Sequence, residues 1–375
     1  SNFYSRREQM NASVVGIGKL GLCFALTLEK SGYNVIGVDV NQEYVDLLNQ
    51  KALKSSEPDV TKYLRASKNF KATTSLEEAV SHSATLFVIV ATPSLVSGRY
   101  DHSQVDALVD ELESLGAQHE ERHFIVCCTT MPGYCESIKS RLNRLNYTVS
   151  YNPEFIAQGT ILKNQESPDM ILIGEGSQVA GDIIEEIYER HTVNEPRICR
   201  MGTTEAEITK ISLNCFLTTK IAYANMVGDI VLSAGGNPAA VLSAIGEDSR
   251  IGPKYLGYGY GYGGPCFPRD NRALAIYAND MGIDAAISLA SDKSNADHLG
   301  YQVRRHIDNG DKDKEIVFDY VSYKPESTLL VESQQLAYAV EIAKNGFKVK
   351  IREREEIIVE LRSRYGDLFT YERRD

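Results

Sequence analysis

The sequence of 375 residues contains 40 Lys and Arg against 51 Asp and Glu, which gives a net charge of −11. Such an acidic chain is poorly suited to nucleic-acid binding, which relies on Lys and Arg neutralising phosphates, and to attachment to anionic membranes. An apolar fraction of 43% and a charged fraction of 24% are typical of a globular protein. A chain of this length is expected to form two or three domains.

Three further features predict a cytoplasmic protein. Residues 1–10 are polar and charged, without the apolar core of a signal peptide. The apolar run 86–91 is far shorter than the ~20 residues of a membrane-spanning helix. The seven cysteines are an odd number and are expected to be reduced. Neither they nor the seven scattered histidines have the spacing of zinc ligands, so no metal site is expected.

The first predicted elements form a β-α-β unit. A strand over 12–16 leads into the glycine motif 16–21, a helix covers 22–30, and a second strand over 34–38 ends at Asp39. This is the pattern of a dinucleotide-binding unit, in which the glycines allow a tight turn and close approach of the pyrophosphate, and the acidic residue binds the ribose. The alternative is a glycine turn that binds nothing.

The next segments alternate in the way that predicts a doubly wound parallel sheet. Strands are predicted at 85–91, 124–128, 148–151 and 170–173, and helices at 77–81, 105–115 and 136–145. Polar residues follow three of these strands, at Thr92, Thr130 and Glu154. Ligands of such sheets bind at the carboxyl ends of the strands, although each of these residues alone could equally be an ordinary turn or cap residue.

A capping box formed by Thr204 and Glu207 predicts the start of a helix that continues to about residue 234. At 1.5 Å per residue this helix would be roughly 45 Å long, which suggests a spine that joins domains or pairs subunits. Lys210 and Asn214 are four residues apart and share one face of it. Their spacing alone favours an ordinary solvated pair.

Glycine alternates with tyrosine over 257–264, just before Cys266. Such a segment could be disordered, but Pro265 and Pro268 stiffen it, and a helix starting there would place Cys266 and Asp270 one turn apart. A thiol at a helix N-terminus has a lowered pKa. Cys266 is therefore the candidate reactive cysteine, whereas most of the others lie in apolar or helical stretches typical of small core residues.

A linker is predicted near 309–311, followed by a strand at 315–321, a helix at 333–345, a strand at 348–352 and a charged helix that closes the chain. These elements amount to half of a doubly wound domain. The predicted domains are a Rossmann-type domain over 1–202, a central helical and dimerisation domain over 203–308, and a shortened C-terminal α/β domain over 309–375.

Taken together, the chain resembles the UDP-glucose/GDP-mannose dehydrogenase family up to about residue 350. The motifs that carry the resemblance are 16–21 with Asp39, 129–133, 152–155, 168–174, 205–207 with Lys210 and Asn214, 248–252, and 261–270. The Phe-Pro-Arg-Asp ending of the last motif is similar to the UDP-glucose and GDP-mannose branches of the family.

The resemblance implies an NAD-dependent oxidation of a nucleotide-sugar 6-hydroxymethyl group to a carboxylate, through a thiohemiacetal and a thioester on Cys266. The implied catalytic residues are Cys266, Lys210, Asn214, Asp270, Glu154 and Thr130. The implied NAD-binding residues are Gly16, Ile17, Gly18, Leu20, Gly21, Asp39, Thr92, Thr130 and Gln158. The implied substrate-binding residues are Phe155, Ile156, Ala157, Lys210, Asn214, Arg250, Tyr255, Gly263 and Lys324.

The implied partner, besides the nucleotide sugar, is a second copy of the chain, paired through the long helix so that Arg250 reaches the neighbouring subunit. The chain departs from the family at Gln158, where relatives have a second acidic residue, and at Val331, where they have an arginine. UDP-glucose is the favoured substrate. GDP-mannose or another nucleotide hexose, and a weakly active binding homologue, are the alternatives.

Overall fold

The computed structural model describes residues 10–156, 159–325 and 327–374. The chain divides into two compact units, residues 1–210 and 211–375. The boundary lies inside the long helix, eight residues beyond the predicted one at 202. The finer division into three domains stays a prediction.

The first unit is built on an eight-stranded sheet with the order β3-β2-β1-β4-β5-β6-β7-β8. Its strands are β1 Asn11–Val15, β2 Asn34–Val38, β3 Phe70–Thr73, β4 Thr85–Val88, β5 Arg122–Val126, β6 Tyr147–Tyr151, β7 Met170–Gly174 and β8 Arg197–Met201. The order of the first six is that of a dinucleotide-binding sheet, which confirms the predicted fold class. The sheet is not wholly parallel, because β6 and β7 pair antiparallel.

Helices cover both faces of this sheet. They are α1 Lys19–Lys30, α2 Gln42–Asn49, α3 Val60–Ala66, α4 Leu76–His82, α5 Ser103–Leu115, α6 Tyr134–Asn143, α7 Ile161–Glu166 and α8 Gln178–His191. The strands are nearly continuous apolar runs because both of their faces are buried. Two apolar clusters result, one around Phe24 and Phe87 and the other around Leu86 and Phe124.

The long helix, α9, spans Thr203–Ser233 and has 31 residues. Its first turn is closed by Glu205, whose carboxylate accepts the Gly202 N–H at 3.1 Å. The predicted capping box is therefore displaced by two residues, and Glu207 is not part of it. The second unit also contains α10 Pro238–Gly246, α11 Phe267–Asp280 and α12 Ala286–Asn309.

Within the part of the chain that the structure describes, α9 is the helix long and apolar enough to cross a membrane, with a mean hydropathy of 1.2 over its most apolar window. One such helix is weak evidence for a membrane span, because core helices of soluble proteins have the same length and composition. The expectation that the protein does not span a membrane therefore stays a prediction.

A three-stranded parallel sheet with the order β11-β10-β9 occupies the end of the chain. Its elements are β9 Ile316–Phe318, α13 Gln334–Lys344, β10 Val349–Glu353, α14 Glu355–Tyr365, a 3₁₀ turn Gly366–Leu368 and β11 Thr370–Arg373. An apolar cluster of its own packs between sheet and helices. The predicted closing helix is α14, but a strand follows it, so the half-domain is a complete β-α-β-α-β unit.

Candidate active site

The glycine motif forms a tight loop between β1 and α1. Gly16 has φ +94°, and a Cβ atom there would lie 2.2 Å from the Ile89 carbonyl oxygen. A Cβ on Gly21 would lie 1.8 Å from the Gly16 carbonyl oxygen, whereas one on Gly18 would have no neighbour within 4 Å. Gly16 and Gly21 therefore allow the chain to fold back on itself, and Gly18 leaves the outer side of the loop open for a ligand.

The N-terminus of α1 and the end of β2 complete this loop. Gly18, the N-cap of α1, offers no side-chain acceptor, and the first turn has no acidic residue, so the helix amides are available to an anion. Asp39 directly follows β2, and its carboxylate accepts the Asn41 N–H at 3.0 Å. Tyr44 donates to the Ile17 carbonyl oxygen at 2.6 Å and fixes the loop from outside. These residues fit a dinucleotide, with its pyrophosphate at the helix and its ribose at Asp39.

Thr92 and Thr130 lie at the carboxyl ends of neighbouring strands, as predicted. The Thr92 hydroxyl donates to the Thr129 carbonyl oxygen at 2.6 Å. Thr130 is fully buried, and its hydroxyl donates to the Glu207 carboxylate in a short hydrogen bond. The roles of Thr130 toward NAD and toward a hydrolytic water stay predictions, and the structure adds a carboxylate partner.

Glu207, predicted as a helix cap and part of the family motif 205–207, is a fully buried acid without a predicted catalytic role. It also accepts the backbone N–H groups of Gly133 at 3.1 Å and Cys135 at 3.3 Å, at the start of α6. Burial raises the pKa of this carboxyl group from 4.5 to about 7, although the three donors oppose the rise. The spacing of Glu207, Lys210 and Asn214 could have indicated that they share one helical face.

Glu154 follows β6 and is partly buried. The Gln165 side-chain amide donates to its two carboxylate oxygens at 3.2 and 3.4 Å. Burial raises the pKa of Glu154 to about 7, while the Gln165 hydrogen bond and the positive charge of Lys210 act in the opposite direction. A carboxyl group that titrates near neutral pH is suited to both proton donation and proton acceptance.

Lys210 and Asn214 are not a solvated pair, because their side chains are only 7% and 9% exposed. The Lys210 ammonium group lies 4.3 Å from the centroid of the Phe155 ring, within the range of a cation–π interaction. The next residue, Ile156, is half-buried. The predicted ligand contacts of Ala157 and Gln158 lie outside the described residues.

Cys266 and Asp270 open α11, as predicted. The helix begins at Phe267, directly after the exposed Cys266, and the Asp270 N–H donates to the Cys266 carbonyl oxygen at 2.9 Å. Asp270 is buried, and its carboxylate accepts a hydrogen bond from the Asn214 amide at 2.7 Å. In the second unit, Asp270 thus contacts both the Cys266 backbone and the Asn214 amide, and the catalytic roles that the resemblance gives these three residues stay predictions.

The glycine–tyrosine segment before Cys266 is a shaped loop. The Asn295 side chain binds both the N–H and the carbonyl oxygen of Tyr262, at 2.9 and 3.0 Å. A Cβ on Gly261 would lie 2.3 Å from Asn295 Oδ1, and one on Gly263 would lie 2.1 Å from the Glu332 carbonyl oxygen. Glycine is therefore required where other chain segments approach this backbone.

Three of the remaining predicted substrate residues, Arg250, Tyr255 and Lys324, are exposed or partly exposed. Arg250 is 86% exposed on its side chain and is paired with Asp248 at 2.8 Å. Tyr255 is exposed, with φ +61°. The Lys324 ammonium group lies 5.6 Å from the centroid of the Tyr323 ring. The structure leaves the predicted substrate contacts of these residues untested.

Two segments of the chain match domain models of one known protein family. Residues 10–192 match the NAD-binding domain of the UDP-glucose/GDP-mannose dehydrogenase family, and residues 204–297 match its central domain. UDP-glucose 6-dehydrogenase of Pseudomonas aeruginosa is 30% identical over 356 residues, which cover 91% of this chain and 78% of that protein.

This chain belongs to the UDP-glucose/GDP-mannose dehydrogenase family. GDP-mannose 6-dehydrogenase of Pseudomonas aeruginosa is 28% identical over 361 residues, which cover 92% of this chain and 81% of that protein. The structure of a UDP-glucose dehydrogenase from Pyrobaculum islandicum superposes with a TM-score of 0.84 at 28% identity, over 98% of this chain and 86% of that one. Family membership identifies NAD as the cofactor of the Rossmann-type unit, while the similar identities to the two enzymes leave the substrate open.

Proposed function

We propose that this dehydrogenase oxidises UDP-glucose to UDP-glucuronate in two steps that pass through a covalent intermediate on Cys266. The observation that carries the proposal is the exposed thiol at the N-terminus of α11, with the Asn214–Asp270 pair one helical turn beyond it. A thiol is useful because it holds the aldehyde between two oxidations, and a helix N-terminus favours the thiolate.

The first oxidation removes a hydride and the hydroxyl proton from the 6-hydroxymethyl group and leaves an aldehyde. NAD, when bound at the glycine loop, accepts the hydride in each of the two oxidations. The Cys266 sulfur then adds to the aldehyde carbon, and the carbonyl oxygen takes a proton to give a thiohemiacetal. Lys210 and Asn214, one turn apart on α9, are suited to donate hydrogen bonds to that oxygen while it carries negative charge.

Loss of the second hydride and of the hydroxyl proton converts the thiohemiacetal into a thioester. Water then adds to the thioester carbon, the thiolate leaves, and the product is a carboxylate. Glu154 is suited to exchange protons with the hydroxyl group and with the water, because its pKa is about 7. Asp270, held by Asn214 at 2.7 Å, is suited to orient the water beside the sulfur.

The experiment that tests the proposal supplies NAD and a panel of nucleotide sugars to the purified protein and follows the absorbance of NADH. We expect turnover with UDP-glucose and formation of UDP-glucuronate. Turnover with GDP-mannose alone would replace the substrate assignment and keep the chemistry. Binding of nucleotide sugar without any NADH would contradict the proposed function and support the weakly active homologue that the changes at Gln158 and Val331 suggest.

We also propose that the enzyme is a cytoplasmic homodimer paired through α9. Three large apolar side chains lie exposed at intervals of seven residues along this helix, namely Phe216, Tyr223 and Ile230. Residues seven apart lie near one face of a helix, so these side chains form a stripe suited to a second copy of the same helix. Sedimentation should give a dimer for the wild type, and Phe216→Asp with Ile230→Asp should give a monomer; a monomeric wild type would contradict the proposal.

A further inference from the structure

Gln165 has a buried side chain that hydrogen-bonds to Glu154. It is the fifth residue of the short helix α7 and is only 4% exposed. Its Nε2 atom lies 3.2 and 3.4 Å from the two Glu154 oxygens and 3.4 Å from the Leu20 carbonyl oxygen. The Leu20 carbonyl oxygen always accepts, and the ionised Glu154 carboxylate only accepts, so the amide nitrogen faces both and the amide oxygen faces away.

The amide oxygen of Gln165 faces α1, the helix that follows the glycine loop. The Thr27 hydroxyl lies 3.3 Å from Gln165 Oε1 and 2.8 Å from the Cys23 carbonyl oxygen, and Thr27 is itself buried. The single Thr27 proton is shared between the nearer Cys23 carbonyl oxygen and Gln165 Oε1. The Leu20 carbonyl oxygen can only accept, so it keeps the amide nitrogen on the Glu154 side. The glutamine is thereby fixed against α1 and presents its N–H groups to the acid.

Few charged groups near the Gln165–Glu154 hydrogen bond affect the ionisation of Glu154. Lys210 places a positive charge near Glu154 and favours its ionised form. Among the described residues, Cys23, Cys127 and Tyr188 also interact with Glu154, and burial raises the pKa of each, so that they stay neutral near pH 7. His191 lies at the Gln165 backbone, and burial lowers its pKa to about 4, so it is neutral in this range as well. Between pH 5 and 9 the ionisation of Glu154 therefore depends on its burial, on Lys210 and on the Gln165 amide.

We propose that Gln165 is a positioning residue, which holds the Glu154 carboxyl group in place and biases it toward its charged form. A primary amide donates to a carboxylate without adding charge, so it stabilises the ionised acid yet allows it to accept and release a proton. The proposal rests on the proposed function, in which Glu154 exchanges protons with the substrate and water.

The test is a pH titration of Glu154 in the free enzyme by infrared spectroscopy, with the Glu154→Gln variant used to assign its carboxyl band. Gln165→Leu should raise the midpoint by about one pH unit, because it removes a hydrogen bond to the charged form. Gln165→Glu should raise it further, since a second carboxyl group beside Glu154 disfavours two charges. Thr27→Val, which only loosens the amide, should raise it least.

The matched control is Gln335→Leu, which makes the same exchange at a buried glutamine of α13 in the other unit. We expect it to leave the Glu154 midpoint unchanged. An unchanged midpoint in both Gln165→Leu and Gln165→Glu would overturn the proposal. The titration needs no substrate, so it reads the role of Gln165 even if the proposed reaction is wrong. With an active enzyme, the limb of the pH–rate profile due to Glu154 should move by the same amount.

Discussion

Glu154 and Glu207 are two carboxylic acids of the same unit whose pKa values are both raised to about 7 by burial. Their hydrogen bonds differ. Glu207 accepts from two backbone N–H groups and the Thr130 hydroxyl, whereas Glu154 accepts from the Gln165 side-chain amide. Backbone donors at the start of α6 cannot turn away from Glu207, so that acid is fixed as a helix cap.

A raised pKa therefore does not by itself identify a catalytic acid. Both groups titrate in the range useful for catalysis, yet both oxygens of Glu207 accept hydrogen bonds that hold the start of α6 and Thr130 in place. Glu154 lies at a strand end next to the Lys210–Phe155 contact and is only partly buried. We therefore expect loss of Glu154 to reduce catalysis and loss of Glu207 to reduce stability, and three measurements can separate the two.

The largest expected effect is that of Glu154→Gln on turnover. The amide preserves the shape of the side chain but cannot exchange protons, so kcat with the preferred nucleotide sugar should fall by roughly 10²- to 10⁴-fold. The free energy of unfolding in urea should change little at pH 5, where the folded-state acid is protonated and the amide resembles it. Above pH 7 the variant should be the more stable by up to roughly 3 kcal/mol, because the wild type loses stability as the pH rises from 4.5 through its raised pKa of about 7. Wild-type turnover in this variant would contradict the catalytic assignment.

A second, smaller effect concerns the pH dependence of stability at Glu207. Its pKa is about 7 in the folded protein against an ordinary 4.5, so the folded state binds more protons than the unfolded state between these values. The stability that Glu207 provides is complete below pH 4.5 and falls by roughly 3 kcal/mol as the pH rises through 7. The difference in unfolding free energy between wild type and Glu207→Gln should shrink accordingly.

Urea unfolding at pH 5, 6, 7 and 8 measures that difference, and the other carboxyl groups cancel between the two proteins. A difference that is constant across the series would show that Glu207 titrates normally, and the comparison between the two acids would then fail.

The smallest expected effect is that of Thr130→Val. The substitution keeps the shape of a buried side chain and removes the hydroxyl that donates to Glu207, so stability at pH 8 should fall by about 1 kcal/mol. The same variant tests the role that the family resemblance gives Thr130. A loss of turnover at unchanged stability would assign the hydroxyl to the reaction and not to Glu207.

The fold was largely predictable because its signals are local. Apolar runs bounded by turn residues located β1, β2 and β4 to β7, and the glycine spacing with Asp39 identified the dinucleotide loop. The antiparallel pairing of β6 with β7 was missed, because a pairing direction depends on the path of the intervening chain and not on the residues of the strands. The closing strand β11 was missed for a related reason, since four charged and polar residues at an edge resemble a tail.

The candidate site was predictable in its residues but not in its contacts. Motif order singled out Cys266, Asp270 and Glu154, while helical spacing alone could not show that Lys210 is buried. Gln165 carried no signal of a site, because a glutamine on a short helix has an ordinary interpretation. Glu207 lay in a family motif and on the helical face of Lys210 and Asn214, but nothing in the sequence indicated its contacts with Thr130 and the start of α6. Their importance depends on which distant carboxyl, amide and backbone groups the fold brings beside them.

The most direct test of the account is the ratio of NADH to uronate formed from a limiting amount of UDP-glucose, measured in wild type and in Cys266→Ser. A covalent intermediate that holds the aldehyde until its second oxidation predicts two NADH per uronate and no free aldehyde in the wild type. Cys266→Ser should bind NAD normally and form no steady supply of uronate. The covalent intermediate on Cys266 would be contradicted if Cys266→Ser produced uronate at the wild-type rate. It would also be contradicted if the wild type released the aldehyde after forming one NADH.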